Sequence, residues 1–67
     1  MNVTAEKAAF GVDEGCNYIG QSRPTFYRLM DQGEIPSFHI GRRRMVLKKD
    51  LDRFLQRRIE EAGVESN

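Results

Sequence analysis

The sequence predicts one small, mainly α-helical domain that carries a single β-hairpin. Three segments space their apolar residues as an amphipathic helix does. A fourth segment alternates apolar and polar residues, as a half-buried strand does. A chain of 67 residues has room for one small core, and therefore for one domain. We expect that domain at residues 10–60, between flexible tails at residues 1–9 and 61–67.

The composition argues against several classes of protein. Hydrophobic residues make up 39% of the chain and charged residues 31%, which is typical of a folded domain rather than a disordered one. The chain has no bilayer-length apolar run and no basic-then-apolar signal segment, so we expect a cytoplasmic protein without membrane contact. A single cysteine, Cys16, and a single histidine, His39, exclude an internal disulfide and the usual zinc patterns. We therefore expect no metal and no cofactor.

Positive charge is concentrated in the middle third of the chain. Residues 20–49 hold seven basic and two acidic side chains, a net charge of +5, although the whole chain carries only +1. The flanking segments, 1–19 and 50–67, each carry a net charge of −2. A local cationic field of this kind suits a polyanionic partner.

The first helix is predicted from Val12 to Ile19. Gly11 serves as its N-cap, and Gly20 ends it in a left-handed turn. Gly15 and Cys16 fall on its apolar face, where Cys16 is expected to act as a small core residue. A glycine inside a helix costs about 1 kcal/mol relative to alanine, which the close approach of another helix at Gly15 would explain.

The second helix follows after a short turn, Gly20–Ser22. Ser22 is a good N-cap, and Gly33 is placed to end the helix in the left-handed region. Phe26, Leu29 and Met30 share one face that must be buried. The opposite face carries cationic and hydroxyl groups, which is typical of a DNA-reading helix and also of many ordinary surface helices. Two amphipathic helices joined by so short a turn suggest a helix-turn-helix, whose second helix is the candidate for groove entry.

The remaining elements are a hairpin and a third helix. Phe38 and Ile40 alternate with polar residues, and a tight connection at 41–43 leads to a second strand at 44–47, which places arginines at the hairpin tip. The third helix is predicted from Lys48 to Arg58, with helix-spaced apolar positions facing the core. These apolar positions are Leu51, Phe54, Leu55 and Ile59.

Four segments of the chain, in this order, resemble the excisionase-type helix-turn-helix family, which is related to the DNA-binding domain of MerR-type regulators. They are SRPTFYRL at 22–29, GEIP at 33–36, IGRRR at 40–44 and KDLDRFL at 49–55. The resemblance covers residues 10–55. It implies a winged helix-turn-helix of three helices and a two-stranded antiparallel wing, with the second helix in the major groove and the wing on the minor groove or backbone. Departures from the family's usual residues fall in the first helix and the turn, at Gly11, Gly15, Cys16 and Gln21.

The resemblance and the residue chemistry together assign three groups of DNA contacts. The expected contacts of the second helix are Ser22, Arg23, Pro24, Thr25, Tyr27 and Arg28. Those of the wing are His39, Arg42, Arg43 and Arg44, and those with the DNA backbone are Lys48 and Lys49. An arginine fork on guanine contributes about 1–3 kcal/mol of discrimination, and a phosphate contact is the alternative for each helix arginine. Three adjacent arginines suit a narrow minor groove, although such runs are usually solvated. Tyr27 is expected to bond a phosphate through its hydroxyl while its ring packs on the core.

The sequence leaves three hypotheses about function. The resemblance favours an excisionase, or recombination directionality factor, which binds and bends attachment-site DNA, with an integrase and further copies of itself as partners. The alternative is a small transcription regulator of the same fold, since the two roles differ only in binding site and partners. The third is a protein-interaction module that uses the third helix and the acidic tail. The chain shows no catalytic constellation and no glycine-rich phosphate loop, so we expect no enzyme activity.

Overall fold

The computed structural model describes residues 8–63, in which three helices pack against one antiparallel sheet. The elements are β1 (Ala9–Gly11), α1 (Val12–Ile19), α2 (Arg23–Asp31), β2 (Phe38–Ile40), β3 (Arg43–Leu47) and α3 (Lys48–Ala62). The predicted class, three helices with an antiparallel wing, is confirmed. The wing is the β2–β3 hairpin, in which Phe38 pairs with Met45 and Ile40 with Arg43.

The strand β1 is the element that the sequence did not reveal. It pairs with the far side of β3, so the sheet has three strands in the order β1-β3-β2 rather than the predicted two. Strand β1 has three residues, too few to show an alternating pattern, and its pairing with β3 is long-range. It includes Ala9, the last residue of the segment predicted as a flexible tail. The Ala8 carbonyl accepts a hydrogen bond from the Lys48 backbone N–H at 2.9 Å, and residues 1–7 lie outside the described residues. Of the tail predicted at 61–67, the first two residues belong to α3, and 64–67 lie outside the described residues.

The turn between α1 and α2 depends on two local signals in the sequence. Gly20 adopts the left-handed conformation, with φ of 73°, and so ends α1 where predicted. Ser22 then caps α2, because its Oγ accepts a hydrogen bond from the Thr25 backbone N–H at 3.4 Å. Pro24 lies in the first turn of α2, where a missing N–H leaves no bond unmade. The α1–turn–α2 unit is therefore the predicted helix-turn-helix.

The core lies where all three helices meet β3. Its members are Cys16, Phe26, Leu29, Met30, Ile35, Val46, Leu51 and Phe54. Ile35, in the loop after α2, is fully buried, although its position in a short polar loop gave no periodic signal. Cys16 is 4% exposed, and burial raises the pKa of its thiol above the usual 9.0. The single cysteine is therefore a core residue, as predicted.

Gly15 is explained by a close approach of α2. A Cβ at this position would lie 2.7 Å from Cζ of Phe26 and 3.3 Å from Cγ2 of Val46. Both side chains are fully buried, so neither has space to move away. The close contact that the sequence suggested for this glycine is therefore present, and it is made by the Phe26 ring.

Replacing Gly15 with alanine is expected to destabilise the domain. Overpacking a core costs about 1–3 kcal/mol, which exceeds the gain of about 1 kcal/mol in helix propensity. Urea denaturation followed by circular dichroism should show a lower midpoint. The matched control is Asn17→Ala, because Asn17 is exposed on the same helix and should gain propensity without overpacking. A Gly15→Ala variant as stable as the parent would contradict this account of the α1–α2 contact.

A polar cluster on the surface joins α1 to α3. The Tyr18 hydroxyl donates a hydrogen bond to Oδ1 of Asp52, and Nζ of Lys48 donates one to Oδ2 of Asp52 at 3.1 Å. The hydrogen bonds from Tyr18 and then Lys48 hold the pKa of Asp52 below its usual 3.8. The hydrogen bond to Asp52 raises the pKa of Tyr18 above its usual 10.0.

These opposite pKa shifts predict how the free energy of unfolding depends on pH. It should be constant at intermediate pH and fall at both extremes, in an acid arm and an alkaline arm. The Asp52 contribution is fully present above its unfolded pKa, near 3.8, and is lost as the pH falls through the lower folded pKa. The Tyr18 contribution is fully present below 10.0 and is lost as the pH rises through the higher folded pKa. In urea midpoints measured against pH, Tyr18→Phe should remove the alkaline arm and reduce the acid arm, and Asp52→Asn should flatten both. An unchanged profile in Asp52→Asn would mean that the cluster contributes nothing to folding.

Candidate nucleic-acid interface

The helix α2 presents a polar face to solvent because its apolar residues are all on the other side. Phe26, Leu29 and Met30 are buried. Among the six residues predicted to contact a polyanion from this helix, Thr25 is half-buried and the others are exposed. The exposed ones are Ser22, Arg23, Pro24, Tyr27 and Arg28. Arg23 and Arg28 therefore have side chains that can reach a partner.

The three arginines of the wing do not share one orientation. Gly41, with φ of 62°, forms the tight tip, and Arg42 lies exposed beside it. Arg43 opens β3, one residue earlier than predicted, and stays exposed. Arg44 is half-buried, because successive strand residues point to opposite faces of the sheet. His39 is exposed and lies opposite Arg44 in the strand register.

The start of α2 and the start of β3 meet at an open surface depression, which we call the basic cleft. Its lining residues are Gly11, Val12, Asp13, Glu14, Arg23, Arg43 and Arg44. The guanidinium of Arg43 passes so close to Gly11 that a Cβ there would lie 3.0 Å from its Nη2. The tertiary fold therefore gathers arginines from the second helix and from the wing on one surface.

A carboxylate lies within this basic cleft. Asp13, in the first turn of α1, forms an ion pair with the guanidinium of Arg23. Both side chains are more than half exposed, so solvent screens the pair and its contribution is small. The sequence placed Asp13 only as a partner of the α1 dipole, and its proximity to Arg23 could not be seen without the turn geometry. A polyanion that binds Arg23 meets this negative charge, although the guanidinium has further N–H donors to offer.

Comparison with known protein families identifies the domain. A family model described as a helix-turn-helix domain matches residues 9–59, which is most of the chain. The chain belongs to the excisionase-type helix-turn-helix family. This is a DNA-binding family rather than a catalytic one, and the protein is a DNA-binding helix-turn-helix protein. No curated protein and no solved structure matches the chain.

The second helix of a helix-turn-helix is the one expected to read DNA, so we call α2 the recognition helix, and Tyr27 lies at its centre. The Tyr27 ring is 36% exposed, and the guanidinium carbons of Arg23 and Arg44 each lie 6.0 Å from its centroid. The sequence predicts a ring that packs on the core, whereas the structure places the ring between two cations. Tyr27 therefore connects the recognition helix to the wing.

The other expected contacts lie outside the basic cleft. Thr25 and Arg28 line a second depression, between α2 and α3, together with Arg58 of α3. Lys48 is half-buried, and its Nζ is bound to Asp52, while Lys49 is exposed at the start of α3. Neither lysine lines the basic cleft. Their contact with the DNA backbone remains a prediction.

Two further properties of residues 8–63 concern membranes and metal ions. Between residues 8 and 63, the helix-turn-helix protein has no helix that is both long and apolar enough to cross a membrane. Over the same part of the chain, its histidine, cysteine and acidic side chains form no group that could hold a metal ion.

Proposed function

We propose that the protein binds a specific sequence of double-stranded DNA and acts as an excisionase, which bends attachment-site DNA and so favours integrase-mediated excision. The observation that carries this proposal is the basic cleft, where arginines of the recognition helix and of the wing share one surface. The excisionase-type family is the reason for preferring this role to others. The protein acts by binding alone, without catalysis.

The recognition helix enters the major groove. A helix with its side chains is about 10–12 Å wide, and the major groove of B-DNA is about 12 Å wide, so the phosphate backbones flank the helix on both sides. Arg23 and Arg28 are both exposed on α2, and we propose that each presents its fork to a guanine edge, Arg23 from the basic cleft and Arg28 from the side nearer α3. We propose that Ser22 and Thr25, at the start of α2, contact phosphates or a thymine methyl.

The wing reaches the neighbouring groove. Arg42 and Arg43 are exposed at the hairpin tip and the start of β3. Arginines inserted into a narrow minor groove are attracted by its enhanced negative potential. Simultaneous contact by α2 and the wing favours DNA that curves towards the protein, which is how a small domain would bend an attachment site.

A domain that covers one short site needs further contacts to bind tightly. We propose that neighbouring copies and an integrase supply them. We propose the C-terminal half of α3 as the surface for the integrase, because it lies outside the basic cleft and stays accessible when the cleft binds DNA. Contacts of this kind raise the effective affinity through linked binding rather than through a larger DNA interface.

The test uses DNA that flanks the gene for this protein, including any adjacent integrase gene and attachment site. Gel shifts and footprinting at two salt concentrations should show protected repeats beside the attachment site, with bending. Protection confined to a promoter would instead identify a transcription regulator of the same fold. The absence of salt-sensitive binding to every fragment would reject both roles and favour a protein-interaction module.

A further inference from the structure

Arg44 differs from the other two arginines of the wing because its side chain is already engaged. The side chain is only 27% exposed. Its Nε donates a hydrogen bond to Oγ of Ser37 at 3.1 Å, and its Nη2 lies 3.5 Å from Oδ1 of Asp31. The guanidinium also lies 6.0 Å from the centroid of the Tyr27 ring.

These partners belong to parts of the chain whose relative position decides how the protein meets DNA. Tyr27 and Asp31 lie on the recognition helix, Ser37 lies just before β2, and Arg44 itself lies in β3. A guanidinium is planar and carries several donors in a fixed arrangement, so it can stack on a ring and bond two oxygens at once. The same side chain joins the wing to the recognition helix.

Asp31 is unusual in this setting because a carboxylate on a DNA-facing helix normally opposes binding. Its side chain is 69% exposed on the last residue of α2, so its negative charge is presented to solvent on the helix that we propose faces DNA. By charge alone, its removal should strengthen DNA binding. Because Asp31 also holds Arg44, its removal should release the wing and so weaken DNA binding.

We propose that Arg44 is a positioning residue that fixes the wing against the recognition helix, and that Asp31 strengthens DNA binding by holding Arg44. This inference rests on the proposed DNA binding. A wing that is fixed before binding loses less conformational freedom when both grooves are contacted together. The contact with Asp31 is exposed and single, so its effect on affinity is modest, at most about fivefold.

The experiment measures the equilibrium binding of the full chain to its own DNA site across a salt series. The variants are Asp31→Asn, Arg44→Gln and the two combined. We expect Asp31→Asn to weaken binding, and the double variant to bind no more weakly than Arg44→Gln alone, because both changes break one connection. The matched control is Glu61→Gln, which removes an exposed carboxylate from α3 and should not weaken binding. Unchanged or tighter binding by Asp31→Asn would overturn the proposal, as would penalties that multiply in the double variant.

Arg44→Lys separates positioning from charge. Lysine keeps the positive charge and a similar length but cannot stack and bond both oxygens as guanidinium does. We expect Arg44→Lys to bind as weakly as Arg44→Gln, with a log–log salt slope close to that of the parent. Restored affinity in Arg44→Lys would show that only charge matters, and a slope reduced by about 0.9 in Arg44→Gln would identify a phosphate contact.

Two further measurements distinguish a failure of this proposal from the unfolding of a variant and from a failure of the proposed function. Thermal melting of each variant should stay near that of the parent, and a variant that melts at the binding temperature is replaced by Ser37→Ala, which removes one bond to Arg44. Ser37→Ala is then expected to weaken binding with an unchanged salt slope, and parental affinity in it would count against the proposal. A parent protein that binds no DNA in a salt-dependent way would instead reject the proposed function.

Discussion

Phe26→Ala should greatly lower the stability of the protein at 25 °C. The Phe26 side chain has no exposed surface, and its ring fills the space beside Gly15 and Val46. Removing a buried phenylalanine side chain costs about 3–5 kcal/mol. A domain of this length has a total stability of roughly 3–10 kcal/mol, so the loss amounts to between about a third and the whole of it. Far-ultraviolet circular dichroism and a urea titration would show a greatly lowered midpoint, or no folded baseline.

The neighbouring residue provides the matched control. Tyr27 is also aromatic and also lies in α2, but it is 36% exposed whereas Phe26 has no exposed surface, so Tyr27→Ala should cost clearly less stability than Phe26→Ala. Phe26→Leu should lie between the two, because leucine refills part of the space. If Phe26→Ala kept the parental midpoint, the packing of α2 against α1 and β3 could not be the source of stability.

The largest effect on DNA binding is expected from Arg42→Ala combined with Arg43→Ala. Both side chains are exposed, and Arg43 lines the basic cleft. If each arginine binds a phosphate, the log–log dependence of affinity on salt should become shallower by about 0.9 for each phosphate that the variant no longer binds. At low salt the affinity should fall by about tenfold or more. Fluorescence anisotropy across a salt series gives both quantities.

A second pair of arginines tests whether this effect belongs to the wing. Arg53→Ala with Arg57→Ala removes the same charge from α3, outside the basic cleft. Arg57 donates a hydrogen bond to the Glu34 carbonyl, so the stability of this control is measured alongside its binding. We expect the control to keep the parental salt slope. An equal reduction of slope in both pairs would show a general charge effect instead of a wing contact.

Most of the fold was predictable because its signals are local. The C-terminal end of α1 depends on Gly20, and the N-terminal end of α2 depends on Ser22. Each effect acts within one turn of the helix. The apolar spacing of α2 and α3 identified Phe26 and Leu51 as buried. Strand β1 gave no such signal, because three residues show no period and its partner β3 lies more than thirty residues further along the chain.

The candidate site was predictable in residue type but not in pairing. The sequence identified Arg23 and Arg44 as cationic residues of the DNA-facing elements. It gave no sign that Arg23 meets Asp13 or that Arg44 meets Asp31, because these contacts depend on how the helices and the wing pack together. Helical periodicity describes which face a side chain occupies, whereas partners from other elements are set by tertiary geometry.

Because Cys16 is buried, chemical labelling of its thiol can measure transient opening of the core. It is the single cysteine of the chain, it is 4% exposed, and burial raises the pKa of its thiol. The thiolate is the nucleophile that attacks a thiol-labelling reagent, and the reagent must reach it, so labelling of the native protein must wait for transient exposure of the core. The labelling rate, compared with that of the unfolded chain, gives the free energy of that opening. The same measurement with DNA present would show how strongly binding holds α1 against the rest of the domain.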